Sequence, residues 1–108
     1  MEGALRKAER IDTYLVSAVR YDEQNRHIDK VVEHYDDGTS LGVGTEATRA
    51  SLLWRIQEDK AQYATVRFFG DGQAVGRKIE IIRVSGARYL RTDGECIAAD
   101  DLGDLPVF

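Results

Sequence analysis

The sequence has little cysteine, since Cys96 is the only one among 108 residues. A single thiol excludes an intrachain disulfide and a cysteine-rich zinc site. Cys96 is followed by Ile97 and Ala98. We therefore expect it to be a small buried apolar side chain rather than a nucleophile.

The sequence also lacks a long apolar run. No stretch is long enough for a membrane helix, and residues 1–11 are polar and charged, unlike the apolar centre of a signal peptide. We expect a cytoplasmic protein without a membrane partner.

A basic excess is missing as well. Lys and Arg number 15 against 19 Asp and Glu, which gives a net charge of −4. Nucleic-acid binders carry basic stripes because phosphate neutralisation supplies most of their affinity, so no nucleic-acid partner is expected. The negative balance lies entirely in residues 92–108, which contain no base and five acids: Asp93, Glu95, Asp100, Asp101 and Asp104.

The composition is that of a globular protein, with 43% apolar and 31% charged residues. We predict a single α+β domain over residues 12–108, preceded by an N-terminal extension or docking arm over residues 1–11. The arm is too short to form a stable helix alone.

Apolar and β-branched patterns predict strands at residues 13–21, 27–35, 63–69, 77–84 and 87–92. Thr48 is the expected N-cap of a helix over residues 49–60. Residues 39–47 and 70–76 contain glycines and are predicted to be connections. The order is β-β-α-β-β-β, with one principal helix on a mostly antiparallel sheet of four to five strands.

The last two strands form the clearest hairpin, with Ser85-Gly86 as its two-residue turn. This register places Glu80 opposite Arg91 and Lys78 opposite Asp93. Opposite charges that face each other on the solvent side of a hairpin contribute about 0.2–1 kcal/mol per pair.

The same register opposes Arg83 to Arg88, and like charges in this position are destabilising. Two interpretations remain open for this hairpin tip. The two side chains extend separately into water, or they form a site for an anion or an acidic partner.

Candidate ligand-binding residues are Arg91, Asp93 and Asp100, from the charged C-terminal stretch. That stretch has no Asp-x-Asp-x-Asp-Gly run, so no metal site is expected. His27 and His34 are an odd number apart on one predicted strand and would point to opposite faces. The glycines of residues 38–48 lack the lysine of a phosphate-binding loop. We predict no cofactor and no catalytic residue.

Four apolar residues follow the acidic positions and are expected to hold the C-terminal tail on the core: Leu102, Leu105, Val107 and Phe108. Both faces of the last hairpin also carry apolar residues, and one helix cannot cover both. We expect the N-terminal arm or a second subunit to cover the remaining face.

Three stretches resemble one family: "LVSAVRYD" (residues 15–22), "YLRTDG" (89–94) and "ADDLGDLPVF" (99–108). They are similar to the small bacterial family called domain of unknown function 3892, and the resemblance covers nearly all of the chain after residue 12. The sequence differs from the family at Asp101 and Asp104, where the family commonly has Asn. The resemblance implies a compact stand-alone bacterial domain and no particular activity.

Three functions remain open. The leading hypothesis is a non-catalytic protein-interaction module that forms a homodimer and binds an unknown protein partner. The second is a small-ligand or cation-binding protein that uses the acidic C-terminal segment. The third is an enzyme of unknown class.

Overall fold

The computed structural model describes residues 12–24 and 26–108. In these ranges the chain forms β1 (Thr13–Tyr21), β2 (Ile28–Asp36), β3 (Thr45–Thr48), α1 (Arg49–Gln57), β4 (Gln62–Phe69), β5 (Gly72–Val84) and β6 (Ala87–Arg91). The strands make one sheet in the order β3-β2-β1-β4-β5-β6. The docking arm predicted at residues 1–11 lies outside the described residues.

The α+β prediction with one principal helix is confirmed in outline, but the sheet is a mixed one of six strands. The predicted connection at residues 39–47 ends in β3, which pairs with β2 and places Ala47 opposite Val31. From β3, α1 carries the chain to the other side of β1. There β4 pairs with β1 in parallel, over Thr13–Val16 and Gln62–Thr65. The prediction of four to five mostly antiparallel strands is therefore wrong.

The helix begins as predicted. The Thr48 side chain accepts a hydrogen bond from the Ser51 amide at 3.2 Å, which caps α1. The helix ends at Gln57, three residues earlier than predicted. Leu52 and Leu53 are buried against the sheet, while Trp54 is 58% exposed, as expected for a residue at the edge of the apolar stripe.

The last hairpin has the predicted register from Glu80–Arg91 to Val84–Ala87. Ser85 and Gly86 both have positive φ, at 51° and 84°. This is the backbone of a type I′ turn, whose twist matches that of the strands. The predicted pair of Lys78 and Asp93 does not form, because β6 ends at Arg91.

The C-terminal segment, residues 92–108, forms backbone hydrogen bonds with both β6 and β1. The Asp101 amide donates to the Leu90 carbonyl of β6, and the Val19 amide of β1 donates to the Pro106 carbonyl. Since β4 pairs with β1 only as far as Val16, the segment takes the place that β4 leaves free. Backbone pairing thus runs in a closed circuit through β1, β4, β5, β6 and this segment.

The core fills the space inside that circuit and under α1. Leu102 and Leu105 are buried in it beside residues of β1, α1 and β6, so their predicted packing is confirmed. Val107 is 71% exposed, so its predicted burial is wrong. Its backbone pairs with Val19, and the side chain points away from the core.

No helix within residues 12–24 and 26–108 has the length and apolar character required to cross a membrane.

Candidate interaction site

Arg91, the first predicted ligand-binding residue, is buried under the start of the C-terminal segment. Its Nε and Nη2 donate to the two carboxylate oxygens of Asp93 at 2.8 and 2.7 Å. Its Nη1 donates to the Ala99 carbonyl at 2.9 Å. These hydrogen bonds hold the pKa of the Asp93 carboxyl well below its usual value. The ion pair closes the Asp93-Gly94 turn.

This geometry corrects the predicted charge ladder. Glu80 stands opposite Arg91 in the register, but the guanidinium turns to Asp93, two residues along the same chain. A bidentate pair with a near neighbour requires less ordering of long side chains than a cross-strand pair at the surface. Asp93 is therefore bonded to Arg91 and not to Lys78.

Asp100 joins three parts of the fold through a fully buried carboxylate. Its Oδ2 accepts from the Ile28 amide at 2.7 Å and from Arg49 Nε at 2.7 Å. Its Oδ1 accepts from the Leu90 amide at 2.8 Å and from Arg49 Nη2 at 3.2 Å. One side chain thus holds the start of β2, the start of α1 and β6 together.

The three predicted ligand-binding residues therefore lie together at the junction of β6 and the C-terminal segment. The guanidinium of Arg91 and the carboxylate of Asp100 are bonded within the chain, and the Asp93 side chain is 38% exposed. Their use in binding a ligand stays a prediction. The described residues contain no group of three or more His, Cys, Asp and Glu side chains arranged to hold a metal ion.

Cys96 is exposed, so the prediction of a small buried side chain is wrong. It lies in the loop between the Asp93-Gly94 turn and Asp100. The apolar neighbour that suggested burial, Ile97, is itself 50% exposed. Short apolar side chains in such a loop need not reach the core.

The two histidines occupy separate places. His27 precedes β2 and stacks on Tyr89, with ring centroids 5.7 Å apart. His34 is buried in β2, where its Nε2 lies 2.8 Å from Ser17 Oγ and its Nδ1 lies 2.9 Å from the Gly42 carbonyl. Because the carbonyl can only accept, Nδ1 carries a proton and donates to it.

This serine–histidine pair is the nearest approach to catalytic geometry, and sequence reasoning missed it. Ser17 sits at a β-bulge in β1, a position that often re-aims a side chain. The edge of the Phe68 ring contacts the histidine, with centroids 5.3 Å apart. The contacts with Ser17 and Gly42 give both nitrogens of the buried imidazole a hydrogen-bond partner. This requirement of a buried polar side chain is sufficient to explain why the serine and the histidine are paired.

A second buried polar network was also missed. Glu33 of β2 is 6% exposed, and it accepts hydrogen bonds from Arg55 of α1 and from the Tyr63 hydroxyl of β4. Burial raises the pKa of the Tyr63 hydroxyl, which stays protonated as a donor. The network fixes the helix to the sheet. Its members lie far apart in sequence, so no local pattern could reveal it.

The most exposed part of the sheet is the end of the β4–β5 hairpin, residues 66–76, which we call the ribbon. The stretch predicted as a glycine loop at residues 70–76 is in fact the two-residue turn Gly70-Asp71 and the start of β5. A Cβ on Gly76 would lie 2.3 Å from Thr65 Oγ1, so any other residue would require the Thr65 side chain to shift where the ribbon leaves the body of the sheet.

Both edges of the ribbon are free of strand partners in the described chain. The ladder between β1 and β4 ends at Val16–Thr65, and β6 pairs with β5 only from Glu80 onward. Three apolar side chains of the ribbon are at least half exposed: Phe68 at 50%, Phe69 at 60% and Val75 at 58%. The alternating positions Ala64, Val66 and Phe68 would share one face of a regular strand. A register shift between Ala64 and Val66 interrupts that alternation.

Residues 16–106 match the family described as Protein of unknown function (DUF3892). The match contains all three stretches that carried the resemblance, apart from the ends of the first and last. No curated protein and no solved structure matches the chain.

Proposed function

The chain belongs to the DUF3892 family, and we propose that it is a non-catalytic protein-interaction module that forms a homodimer through the ribbon. The observation that carries the proposal is a strand edge that no described residue pairs with, next to exposed apolar side chains. Monomeric proteins avoid this combination because an open edge pairs readily with another strand.

The backbone supplies the affinity in this proposal. Within residues 12–24 and 26–108, no strand pairs with Gly72–Lys78 of β5 on the side away from β4. A strand added to that side would pair with the free N–H and C=O groups, as in β-strand addition. A two-stranded ribbon is only marginally stable alone, so a third and a fourth strand would also stabilise the ribbon itself.

A second copy of this chain fits the edge. Two β5 strands related by a two-fold axis would pair antiparallel. With Val75 on the axis, Gln73 lies opposite Arg77 and Gly72 lies opposite Lys78, so no like charges face each other. The exposed Val75 side chains would then contact each other.

Sedimentation equilibrium tests this proposal. The wild type is expected to sediment as a dimer and Val75→Asp as a folded monomer, because two carboxylates would meet at the axis. The matched control is Val43→Asp, since Val43 is 85% exposed outside the ribbon. A wild-type monomer at all concentrations, or a Val75→Asp dimer as tight as the wild type, would contradict the proposal.

A second candidate is a small-ligand or cation-binding protein that uses Arg91, Asp93 and Asp100. A shallow depression lined by Tyr21, Asp100, Asp101 and Gly103 favours it, because the Asp101 side chain there is 52% exposed. Hard cations prefer such carboxylate oxygens.

Thermal unfolding with Ca²⁺, Mg²⁺, Mn²⁺ and nucleotides tests this candidate. Binding would raise the Tm by mass action, and the rise would be lost in Asp93→Ala and Asp101→Asn. The Asp100→Ala variant is less informative, because its carboxylate also holds the fold together. No rise with any ligand would remove this candidate.

A further inference from the structure

A groove separate from the ribbon runs between α1 and the start of β6. It has a volume of about 470 Å³. The residues that matter for its chemistry are Arg49, Ala50, Trp54, Gln57, Glu58 and Arg88. Ala50, Trp54 and Gln57 follow one another at helical spacing, so one face of α1 forms its wall.

Trp54 gives the groove an unusual surface. Its side chain is 58% exposed, although it is the only tryptophan of the chain. Tryptophan and arginine are the residues that most often dominate the binding energy of protein interfaces. An exposed tryptophan beside an arginine, as at Trp54 and Arg88, is therefore more typical of a binding site than of a solvated helix face.

The charge beside Trp54 is positive and incompletely compensated. Arg49 is paired with Asp100 at the base of the groove. Arg88 donates to the Gln57 amide oxygen and stands directly opposite Arg83 in the hairpin. Among the ion pairs of the described residues, none involves Arg83 or Arg88, although Glu58 also lines the groove.

Arg88 lines the groove, and Arg83 stands opposite it in the hairpin register. Like charges in opposed positions of neighbouring strands repel each other. A carboxylate placed between them would remove that repulsion and would form charge-assisted hydrogen bonds. The apolar part of the groove, at Ala50 and Trp54, would take an aliphatic or aromatic side chain next to that carboxylate.

We infer that this groove binds an acidic segment of a partner protein, with its carboxylate on Arg83 and Arg88 and a neighbouring apolar side chain on Trp54. This site is distinct from the ribbon and does not depend on dimer formation. It adopts the second interpretation of the like-charge pair at the hairpin tip, a site for an acidic partner.

A library of random peptides displayed on phage, selected on the full chain, tests the inference. Selected peptides are expected to contain Asp or Glu next to an apolar residue. Trp54 emission then gives the Kd of the best synthetic peptide without a label. We expect the Kd to rise with salt and on replacement of the peptide's acids by amides.

Arg83→Gln with Arg88→Gln is expected to weaken binding about tenfold or more, since each guanidinium loses a charge-assisted contact. Arg83→Gln alone keeps the Arg88–Gln57 contact and serves as a milder variant. The matched control is Arg26→Gln, an exposed arginine outside both the groove and the ribbon. A library without binders, selected peptides without acids, or equal affinity in all variants would overturn the inference.

Discussion

The C-terminal segment and the ribbon differ in where their polar groups find partners. The segment contains five carboxylates, and its Asp100 carboxylate accepts four hydrogen bonds from the chain. The ribbon has one base, Arg67, and one acid, Asp71. Its outer backbone groups have no strand partner in the described chain, and three of its apolar side chains are at least half exposed. The region that is rich in charge holds the fold together, while the region that is poor in charge presents a surface.

The comparison shows that charge density is a weak guide to a binding site. A carboxylate that is conspicuous in the sequence can serve the fold by accepting hydrogen bonds from buried amides, as Asp100 does from Ile28 and Leu90. A free strand edge consists of backbone atoms and has no charge signature. It becomes visible only when the pairing of every strand is known.

The largest effect is expected from Asp100→Ala. The substitution leaves Arg49 without its buried partner and leaves two amides unsatisfied, so the free energy of unfolding should fall by about 3–5 kcal/mol. Urea unfolding followed by circular dichroism measures the loss. A double variant with Arg49→Ala should recover part of it.

Asp104→Ala is the control for that experiment, because its side chain is 97% exposed in the same segment. Its effect should stay within about 0.5 kcal/mol. If both variants lowered the free energy of unfolding by the same small amount, the C-terminal segment would not be what holds the fold together.

Deletion of residues 104–108 should have the next largest effect. It removes the buried Leu105 side chain, worth about 1.5–3 kcal/mol, and the backbone pairing with Val19. The Tm should fall by several degrees. Val107→Ala, at an exposed position, is the control with little change. An unchanged Tm in the deletion would mean that the tail serves binding and not stability.

A smaller effect is expected for Asp93→Asn, and it should depend on pH. The pKa of Asp93 is lowered in the folded protein, mainly by its hydrogen bonds with Arg91. Its contribution to stability is therefore complete above the unfolded pKa, about 4, and is lost as the pH falls through the folded pKa.

The difference in stability between wild type and Asp93→Asn should thus shrink as the pH falls below about 4. Urea unfolding across the range from neutral to acidic pH measures it. The pKa of Asp37 is also lowered, to about 2, but that residue is the same in both proteins and cancels. A difference that does not change with pH would show that the ion pair with Arg91 contributes nothing.

Much of the fold could be predicted from local pattern. Residues 13–21 are rich enough in β-branched and aromatic residues to predict β1 at its full length. Thr48 marks the start of α1, and Ser85-Gly86 sets the register of the last hairpin. β3 was missed because only Ala47 of its four residues is buried, and its partner, β2, lies earlier in the chain.

The candidate surfaces could be predicted only in part. The opposition of Arg83 and Arg88 follows from the turn, so one end of the groove was visible in the sequence. The position of Trp54 near Arg88 required the packing of α1 on the sheet. The ribbon was hidden because Gly70, Gly72 and Gly76 are as typical of a loop as of a strand that bulges or turns.

The most direct test of the proposed dimer is a disulfide across its axis. In a Cys96→Ser background, Val75→Cys should cross-link into a covalent dimer under mild oxidation, since symmetric pairing brings the two Cβ atoms within disulfide reach. Val43→Cys in the same background should stay monomeric. Rapid cross-linking at position 75 alone is the result we predict. Equal cross-linking at both positions, or none at position 75, would contradict pairing through the ribbon.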